Sequence, residues 1–201
     1  TVVAGVPPML HMLTRSAPAA GAKTHQIHSV ISGGGPLPGE FFAAFKDTFH
    51  HEIIEGYGLT ETAPVVAHNA NGINKPGTIG PPLPGVEVQI RNESGDVMGT
   101  EAIGELCVKG PLVMKGYYKN HNATKAVFYD NKWFRTGDLA QIDADGYIRI
   151  VGRCKDLIVS GGKNIYPREI EEVLLTLPGI EEAAVVGKPD PLRAEVPYAF
   201  V

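Results

Sequence analysis

Residues 26–61 read QIHSVISGGGPLPGEFFAAFKDTFHHEIIEGYGLTE, and two apolar runs in this stretch each lead into glycines. Alternating apolar residues predict strands, and phenylalanines at helical spacing predict a helix between them. The predicted order is strand, glycine loop, helix, strand and glycine loop, at Gln26–Ile31, Ser32–Pro36, Pro38–Phe49, Glu52–Glu55 and Gly56–Gly58. This order predicts the end of an α/β unit over residues 1–70.

The sequence pattern changes after Ala70. Residues 71–84 are rich in Gly, Pro and Asn and predict a loop. Short strands are then predicted at Val86–Ile90, Glu105–Lys109, Trp133–Phe134, Leu139–Ile142 and Tyr147–Val151. Before the last of them, Gly146 stands where a tight hairpin turn needs a positive φ. Strands of this length and spacing predict a small antiparallel, barrel-like β unit over residues 71–152.

A third pattern, at residues 153–201, predicts the start of an α+β unit. A helix is expected from Pro167, because proline is favoured at the first helical position. Strands are predicted around it at Asp156–Val159, Ile180–Val186 and Pro197–Val201. We therefore predict that the chain divides near Gly152 into residues 1–152 and residues 153–201, with the α+β unit of the second part incomplete. Residue 1 is not Met and the last residues continue a strand pattern, so both ends are expected to lie inside a longer protein.

Composition excludes several classes of protein. The chain has 201 residues, 43% of them hydrophobic and 20% charged, with a net charge of −4. These are ordinary globular values, and a mildly acidic chain does not predict nucleic-acid binding. No apolar run approaches the ~20 residues of a transmembrane helix. Two cysteines cannot form a disulfide framework, which favours a reducing, cytoplasmic setting.

Residue types alone mark candidate ligand-binding positions and leave alternatives open. Gly34 and Gly35 would let a flat ligand approach the backbone, or they simply form a tight turn. Tyr57 could stack on a planar ligand, and Thr60 with Glu61 suits phosphate and Mg²⁺. A buried tyrosine followed by a capping Thr-Glu pair explains the same residues equally well.

Two further places carry charge next to glycine. Asp138 follows Thr136-Gly137, where it is either a turn residue or an acceptor for the hydroxyls of a ribose. The run at 152–156, GRCKD, is either a solvated linker or part of a site. The pair His25 and His28 has near-metal spacing but no third ligand, so no histidine metal site is predicted.

Taken together, the motifs carry a resemblance. They are SGGGPL at 32–37, GYGLTE at 56–61, WFRTGD at 133–138, GRCKD at 152–156 and SGGKNIYPREIE at 160–171. Their order and spacing resemble the acyl-CoA synthetase branch of the adenylate-forming superfamily, which includes fatty acyl-CoA ligases. KPGTIGPPLPGVEV at 75–88 and GELCVKGPLVMKGYYKN at 104–120 extend the resemblance over the whole chain.

The resemblance implies roles for individual residues. It implies nucleotide or CoA contacts for Gly34, Gly35, Gly56, Tyr57, Gly58, Thr60, Asp138, Arg153, Lys155, Gly161 and Gly162. Within this set Gly34 and Gly35 would face one side of the adenine and Tyr57 the other, and Asp138 with Arg153 would bind the ribose. Thr60 and Glu61 would be the catalytic residues, with Glu61 also the Mg²⁺ ligand.

Two more contacts are implied along the chain. Lys155 would be the hinge between two domains: a large one, whose distal part is 1–152, and a small, mobile one, whose truncated beginning is 153–201. Gly161 with Gly162 would line the path of pantetheine.

The implied reaction joins a fatty acid to CoA with ATP. The carboxylate attacks ATP to give an acyl-adenylate and pyrophosphate, and CoA then displaces AMP. Mg²⁺ is the implied metal, and peripheral membrane contact and a homodimer remain open. The superfamily's phosphate loop and C-terminal lysine do not occur in these 201 residues, so this chain alone is expected to be inactive. The alternatives are an aryl-CoA ligase, a carrier-protein-loading domain or a non-catalytic nucleotide-binding relative.

Overall fold

A computed structural model describes residues 1–20, 27–70, 73–130 and 132–201. Three sheets follow one another along the chain. They are a mixed sheet with two helices, a five-stranded antiparallel sheet, and a four-stranded antiparallel sheet with one helix. The predicted fold class, α/β followed by a β unit and an α+β unit, is confirmed. Gln26, in the first predicted strand, and Asn71, at the predicted change of pattern, lie outside the described residues.

The first sheet has the order β1-β2-β3-β4, with β1 to β3 parallel and β4 antiparallel. Its elements are β1 (Val2–Gly5), α1 (Pro7–Ala20), β2 (Ser29–Ser32), α2 (Gly39–Phe49), β3 (Ile53–Tyr57) and β4 (Ala67–His68). The helical phenylalanine spacing is confirmed, because Phe41, Phe45 and Phe49 are all buried on one core face. They pack with Leu10 of α1 and Val30 of β2, which joins both helices to the sheet.

The second glycine loop begins later than predicted. Gly56 and Tyr57 belong to β3, because they pair antiparallel with His68 and Ala67 of β4. This extra pairing holds the tyrosine in a strand instead of a loop. A short 3-10 helix, Thr60–Thr62, follows.

The second sheet has the order β5-β6-β8-β7, and β9 pairs with the other part of β8. Its elements are β5 (Glu87–Arg91), β6 (Gly104–Lys109), α3 (His121–Ala126), β7 (Phe128–Tyr129), β8 (Trp133–Ile142) and β9 (Ile148–Arg153). Two short strands predicted at 133–134 and 139–142 form one long strand, β8. Buried side chains such as Leu106, Val108 and Ile148 form the core on one face.

The third sheet has the order β11-β10-β13-β12 and is antiparallel throughout. Its elements are β10 (Ile158–Ser160), β11 (Lys163–Ile165), α4 (Pro167–Leu175), β12 (Ala184–Asp190) and β13 (Ala194–Phe200). The helix begins at Pro167 as predicted. A 3-10 helix at Cys154–Asp156 joins β9 to β10, so this sheet follows the second one with almost no intervening chain.

Candidate functional site

A cleft of about 860 Å³ lies where the three sheets meet. Its volume is in the range of sites for small molecules and cofactors. Each sheet contributes to its walls: Ser32, Gly34, Gly35, Glu55, Gly56, Tyr57, Gly58 and Leu59 from the first, Asp138, Ile150, Gly152 and Arg153 from the second, and Ile158, Val185, Gly187 and Glu195 from the third. Many of the residues predicted to bind nucleotide therefore face one common space.

The first wall is the backbone that follows β2. Gly34 has a φ of 82°, a left-handed conformation that favours glycine, and both Gly34 and Gly35 are exposed. The cleft here lies at the carboxyl ends of parallel strands, where ligands bind in open α/β sheets. A flat ligand can lie against such a backbone surface, because no side chains project from it.

Asp138 makes two contacts with other predicted site residues. Its Oδ2 accepts a hydrogen bond of 2.5 Å from the Tyr57 hydroxyl, and its Oδ1 lies 3.0 Å from Nε of Arg153. Arg153 reaches it because the two residues are partners in the pairing of β8 with β9. The Asp138 side chain is 11% exposed while that of Arg153 is 50% exposed. A buried carboxylate is thus held between a hydroxyl and a guanidinium at the cleft wall.

Burial changes the pKa values of Asp138 and Tyr57. Burial raises the pKa of Asp138, although the Tyr57 hydroxyl and the Arg153 charge act in the opposite direction. Burial, followed by the Asp138 charge, raises the pKa of Tyr57 far above its ordinary value. The tyrosine therefore keeps its proton, and its hydroxyl remains a hydrogen-bond donor to the carboxylate.

Glu55 and Ser32 are polar cleft residues that the sequence analysis missed. They are partners in the pairing of β2 with β3, and both are buried. Glu55 Oε2 accepts a 3.1 Å hydrogen bond from the Gly77 amide, and burial raises the pKa of Glu55 to about 7. Within the described chain the Ser32 hydroxyl has no hydrogen-bond partner. The signal was an acidic residue inside an apolar strand, immediately before the glycine motif.

Thr60 and Glu61 follow Leu59, which lines the cleft. Thr60 is exposed, and Oε1 of Glu61 accepts a 2.9 Å hydrogen bond from the Tyr117 hydroxyl. The Met114 amide also donates to the Glu61 carbonyl at 2.8 Å, so the chain before α3 is attached to this 3-10 helix. The structure thus places the Glu61 carboxylate next to Tyr117, and neither Thr60 nor Glu61 is among the residues that line the cleft.

Comparison with known proteins identifies the family. The model of the AMP-binding enzyme family matches residues 1–118, more than half of the chain. The chain belongs to this family. A second model, the C-terminal domain of AMP-binding enzymes, matches residues 169–201.

Several relatives of the chain are acyl-CoA ligases. A feruloyl-CoA synthase from Amycolatopsis is 39% identical over 203 residues, covering 100% of this chain and 41% of the relative. A long-chain-fatty-acid–CoA ligase from Bacillus subtilis is 44% identical over 177 residues, covering 87% of this chain and 31% of the relative. The chain therefore spans less than half the length of these relatives.

Solved structures share the fold. ATP-bound MatB from Rhodopseudomonas palustris superposes with a TM-score of 0.91 at 38% identity, covering 99% of this chain and 40% of that one. An o-succinylbenzoate CoA synthetase from Bacillus subtilis, in complex with ATP and magnesium, has a TM-score of 0.86 at 35% identity, with 99% and 41% covered. Of these two similar structures, the first contains ATP and the second contains ATP and magnesium.

Of the three predicted binding residues after Arg153, one lines the cleft and two do not. Lys155 is exposed and lines the cleft. Gly161 and Gly162 instead form the turn between β10 and β11, with φ values of 56° and 78°. That turn supplies a structural reason for both glycines. Their predicted contact with pantetheine stays a prediction.

Glu61 fits a magnesium ion that is bound together with phosphate. Mg²⁺ is usually held by one or two carboxylates plus substrate phosphates, and keeps several waters. Glu61 is a partly exposed carboxylate with one oxygen engaged by Tyr117, which leaves the other oxygen for a cation. Among the described residues no group of three or more acidic, histidine or cysteine side chains could hold a metal ion. In the same part of the chain, no helix is both long and apolar enough to cross a bilayer.

Proposed function

We propose that the complete protein containing this chain is an AMP-forming acid–thiol ligase that acts on a fatty acid. ATP and the carboxylate give an acyl-adenylate and pyrophosphate, and CoA then displaces AMP to give the thioester. The observation that carries this proposal is the contact of Tyr57 and Arg153 with the Asp138 carboxylate beside the Gly34–Gly35 backbone. These groups suit a nucleoside, with a flat base and a vicinal diol.

Asp138 is the proposed acceptor for the ribose hydroxyls. Each carboxylate oxygen has two lone pairs, so Asp138 can accept from a ribose while it keeps its bonds to Tyr57 and Arg153. Those two bonds hold the carboxylate in one orientation before the nucleotide arrives. In the proposal the adenine lies between the Tyr57 ring and the backbone of Gly34 and Gly35.

Glu61 and Thr60 are proposed to act on the phosphates. Glu61 would hold Mg²⁺, which neutralises charge on the phosphates when bound. The hydroxyl of Thr60 is exposed and free to donate to a phosphate oxygen. Tyr117 limits the motion of the Glu61 carboxylate through its hydrogen bond.

The fatty-acid substrate is proposed because of the Bacillus subtilis long-chain ligase, which is 44% identical. The main alternative is an aromatic acid, since the feruloyl-CoA synthase matches the whole chain at 39% identity. A carrier-protein-loading enzyme and a non-catalytic nucleotide-binding relative are further alternatives.

Acid-dependent exchange of pyrophosphate into ATP tests the proposed function. The complete protein is assayed with fatty acids, aromatic acids and amino acids, with Mg²⁺ present. We expect exchange with fatty acids, and subsequent formation of acyl-CoA when CoA is added. Exchange only with aromatic or amino acids would favour the corresponding alternative, and ATP binding without exchange would favour a non-catalytic relative.

The finer organisation is part of the same proposal. Residues 1–152 would belong to the large domain and 153–201 to the small one, with Lys155 as the hinge. The family models match 1–118 and 169–201, which supports a change of domain between them. We also propose a cytoplasmic enzyme, and leave a homodimer and peripheral membrane contact to be tested.

A further inference from the structure

The backbone that carries Asp138 departs from regular strand pairing. In the pairing of β6 with β8, Cys107 faces Arg135 and Glu105 faces Leu139. Three residues of β8, the segment 136–138, therefore stand opposite the single residue Leu106 of β6. This is a β-bulge, which removes hydrogen bonds of the regular ladder and re-aims side chains. The Asp138 carboxylate is thus presented by the least regular part of β8.

Side chains replace the missing hydrogen bonds of this bulge. The Thr136 hydroxyl donates to the Leu106 carbonyl at 2.8 Å and accepts from the Asp138 amide at 3.1 Å. The Gly137 amide donates to Oε1 of Glu105 at 3.2 Å. Gly137 has a φ of 73°, a left-handed conformation that favours glycine. Because glycine has more backbone freedom than other residues, a restraint from a neighbouring side chain helps to fix this conformation.

Glu105 is itself firmly held. It is 8% exposed, and its Oε2 lies 2.9 Å from both Nε and Nη2 of Arg135. Hydrogen bonds between charged groups are stronger than neutral ones. The carboxylate therefore connects Arg135, before the bulge, to the Gly137 amide within it. Oε2 contacts Arg135, and Oε1 accepts from the Gly137 amide.

We propose that Glu105 is a positioning residue for the nucleotide site: by holding the Gly137 amide it aims the Asp138 carboxylate into the cleft. This inference rests on the proposed function, because it assumes that Asp138 binds the ribose. Small displacements of a binding group are costly, since hydrogen bonds weaken steeply with distance and angle. Glu105 is not among the residues that line the cleft, so it acts through Gly137.

Glu87 provides a matched control on the neighbouring strand. Like Glu105 it is a strand glutamate in an ion pair, with its Oε1 2.8 Å from Nζ of Lys109. Unlike Glu105, its side chain is 61% exposed. Removing the Glu87 carboxylate therefore breaks a similar ion pair without touching the restraint on Gly137.

The test measures ATP affinity by calorimetry in the complete protein, with Mg²⁺ and without a carboxylic acid. Glu105→Met keeps the volume of the side chain and removes both acceptor oxygens. The dissociation constant for ATP is expected to rise about tenfold, which corresponds to the loss of one hydrogen bond between the nucleotide and the misaligned Asp138 carboxylate. Glu105→Gln still presents an oxygen to the Gly137 amide and should stay within about twofold of wild type. Glu87→Met should be unchanged.

Two further readouts separate positioning from general stability. In steady-state assays Glu105→Met should raise the KM for ATP about tenfold and leave kcat near wild type. Hydrogen exchange of the Gly137 amide should accelerate in Glu105→Met and not in Glu105→Gln. If Glu105→Met does not fold, Glu105→Asp replaces it, because its shorter side chain keeps the charge but cannot reach both partners.

The outcomes distinguish the inference from the function on which it rests. Unchanged ATP affinity in Glu105→Met, or an equal loss in Glu105→Gln, would overturn the positioning role. Wild-type protein that does not bind ATP would overturn the proposed function, and the positioning role with it. An ATP affinity that depends on Asp138 but not on Glu105 would overturn the positioning role alone.

Discussion

Asp138 and Tyr57 are 81 residues apart in the sequence, yet the Tyr57 hydroxyl oxygen lies 2.5 Å from Oδ2 of Asp138. Sequence motifs singled out each of them, yet nothing in the sequence shows that one donates a hydrogen bond to the other. Their contact depends on how the first sheet packs against the second. The same holds for Glu105, whose partner Gly137 is 32 residues away on another strand.

Titration of Glu55 is expected to make the free energy of unfolding depend on pH. Burial raises its folded pKa to about 7 from a reference of 4.5, so the folded state holds the proton more tightly. The contribution of Glu55 to stability therefore falls as pH rises from about 4.5 to 7, by roughly 3 kcal/mol for a shift of this size, and is level above that range.

Glu55→Gln removes this titration. Its free energy of unfolding should fall less than that of wild type between pH 5 and pH 8, and it should be the more stable protein at pH 8. Denaturant unfolding at a series of pH values measures the difference. Glu93→Gln is the control, because the Glu93 side chain is exposed. Parallel pH profiles for wild type and Glu55→Gln would contradict the raised pKa.

Regular elements were more predictable than departures from regularity. The spacing of phenylalanines predicted α2, and Pro167 predicted the start of α4. Alternation showed both ends of β8 but not its continuity, because the bulge at 136–138 interrupts the pattern. The helix α1 was missed, since its sequence PPMLHMLTRSAPAA contains three prolines and leaves several large apolar side chains exposed.

Gly58 lies just after β3, at a point where two backbone segments pass very close to each other. A Cβ atom at Gly58 would lie 1.5 Å from the carbonyl oxygen of Pro64. The two segments are close because the Val66 amide donates to the Tyr57 carbonyl at 2.8 Å. Any side chain at Gly58 must therefore displace backbone.

Gly58→Ala is expected to lower the free energy of unfolding by about 1–3 kcal/mol, the usual cost of overpacking. It should also weaken ATP binding, because Tyr57 is the adjacent residue. Gly99→Ala is the control, since a Cβ there meets open space and the φ is not left-handed. Thermal unfolding of both variants measures the effect. Equal stability of the two would show that the close approach at Gly58 does not occur.

At the scale of the whole molecule, the three sheets meet at the cleft with a very short connection between the second and third. Gly152 and Arg153 still pair with β8, and Cys154–Asp156 is a 3-10 helix. The proposed hinge thus begins at the end of a strand that also carries a site residue. A movement of the third sheet about this hinge would therefore also displace Arg153.

Limited trypsin digestion of the complete protein tests this hinge. Arg153 and Lys155 are both exposed, so the first cuts are expected after one of them. ATP should slow these cuts, because both residues line the cleft. Equal resistance on both sides of Arg153, with early cuts elsewhere, would contradict a hinge at this position.

The 201-residue chain by itself is expected to form no acyl-CoA. The resemblance assigns the triphosphate to a loop, and adenylation chemistry to a lysine, that do not occur in this sequence. Loss of a single group that stabilises charge in the transition state costs about 2.7–4 kcal/mol, so losing both should abolish detectable turnover. Acyl-CoA formation is measured with ATP, Mg²⁺, CoA and several fatty acids, against a mock purification. Turnover above that background would contradict the expectation.

The central claim, that Asp138 binds the nucleotide in this cleft, is tested most directly by the ATP affinity of Asp138→Ala in the complete protein. Losing hydrogen bonds to a charged group costs about 1.5–3 kcal/mol, so the dissociation constant should rise roughly 10–150-fold. Asp145→Ala, an exposed aspartate in the hairpin after β8, should bind ATP as wild type does. An unchanged ATP affinity in folded Asp138→Ala would contradict the claim.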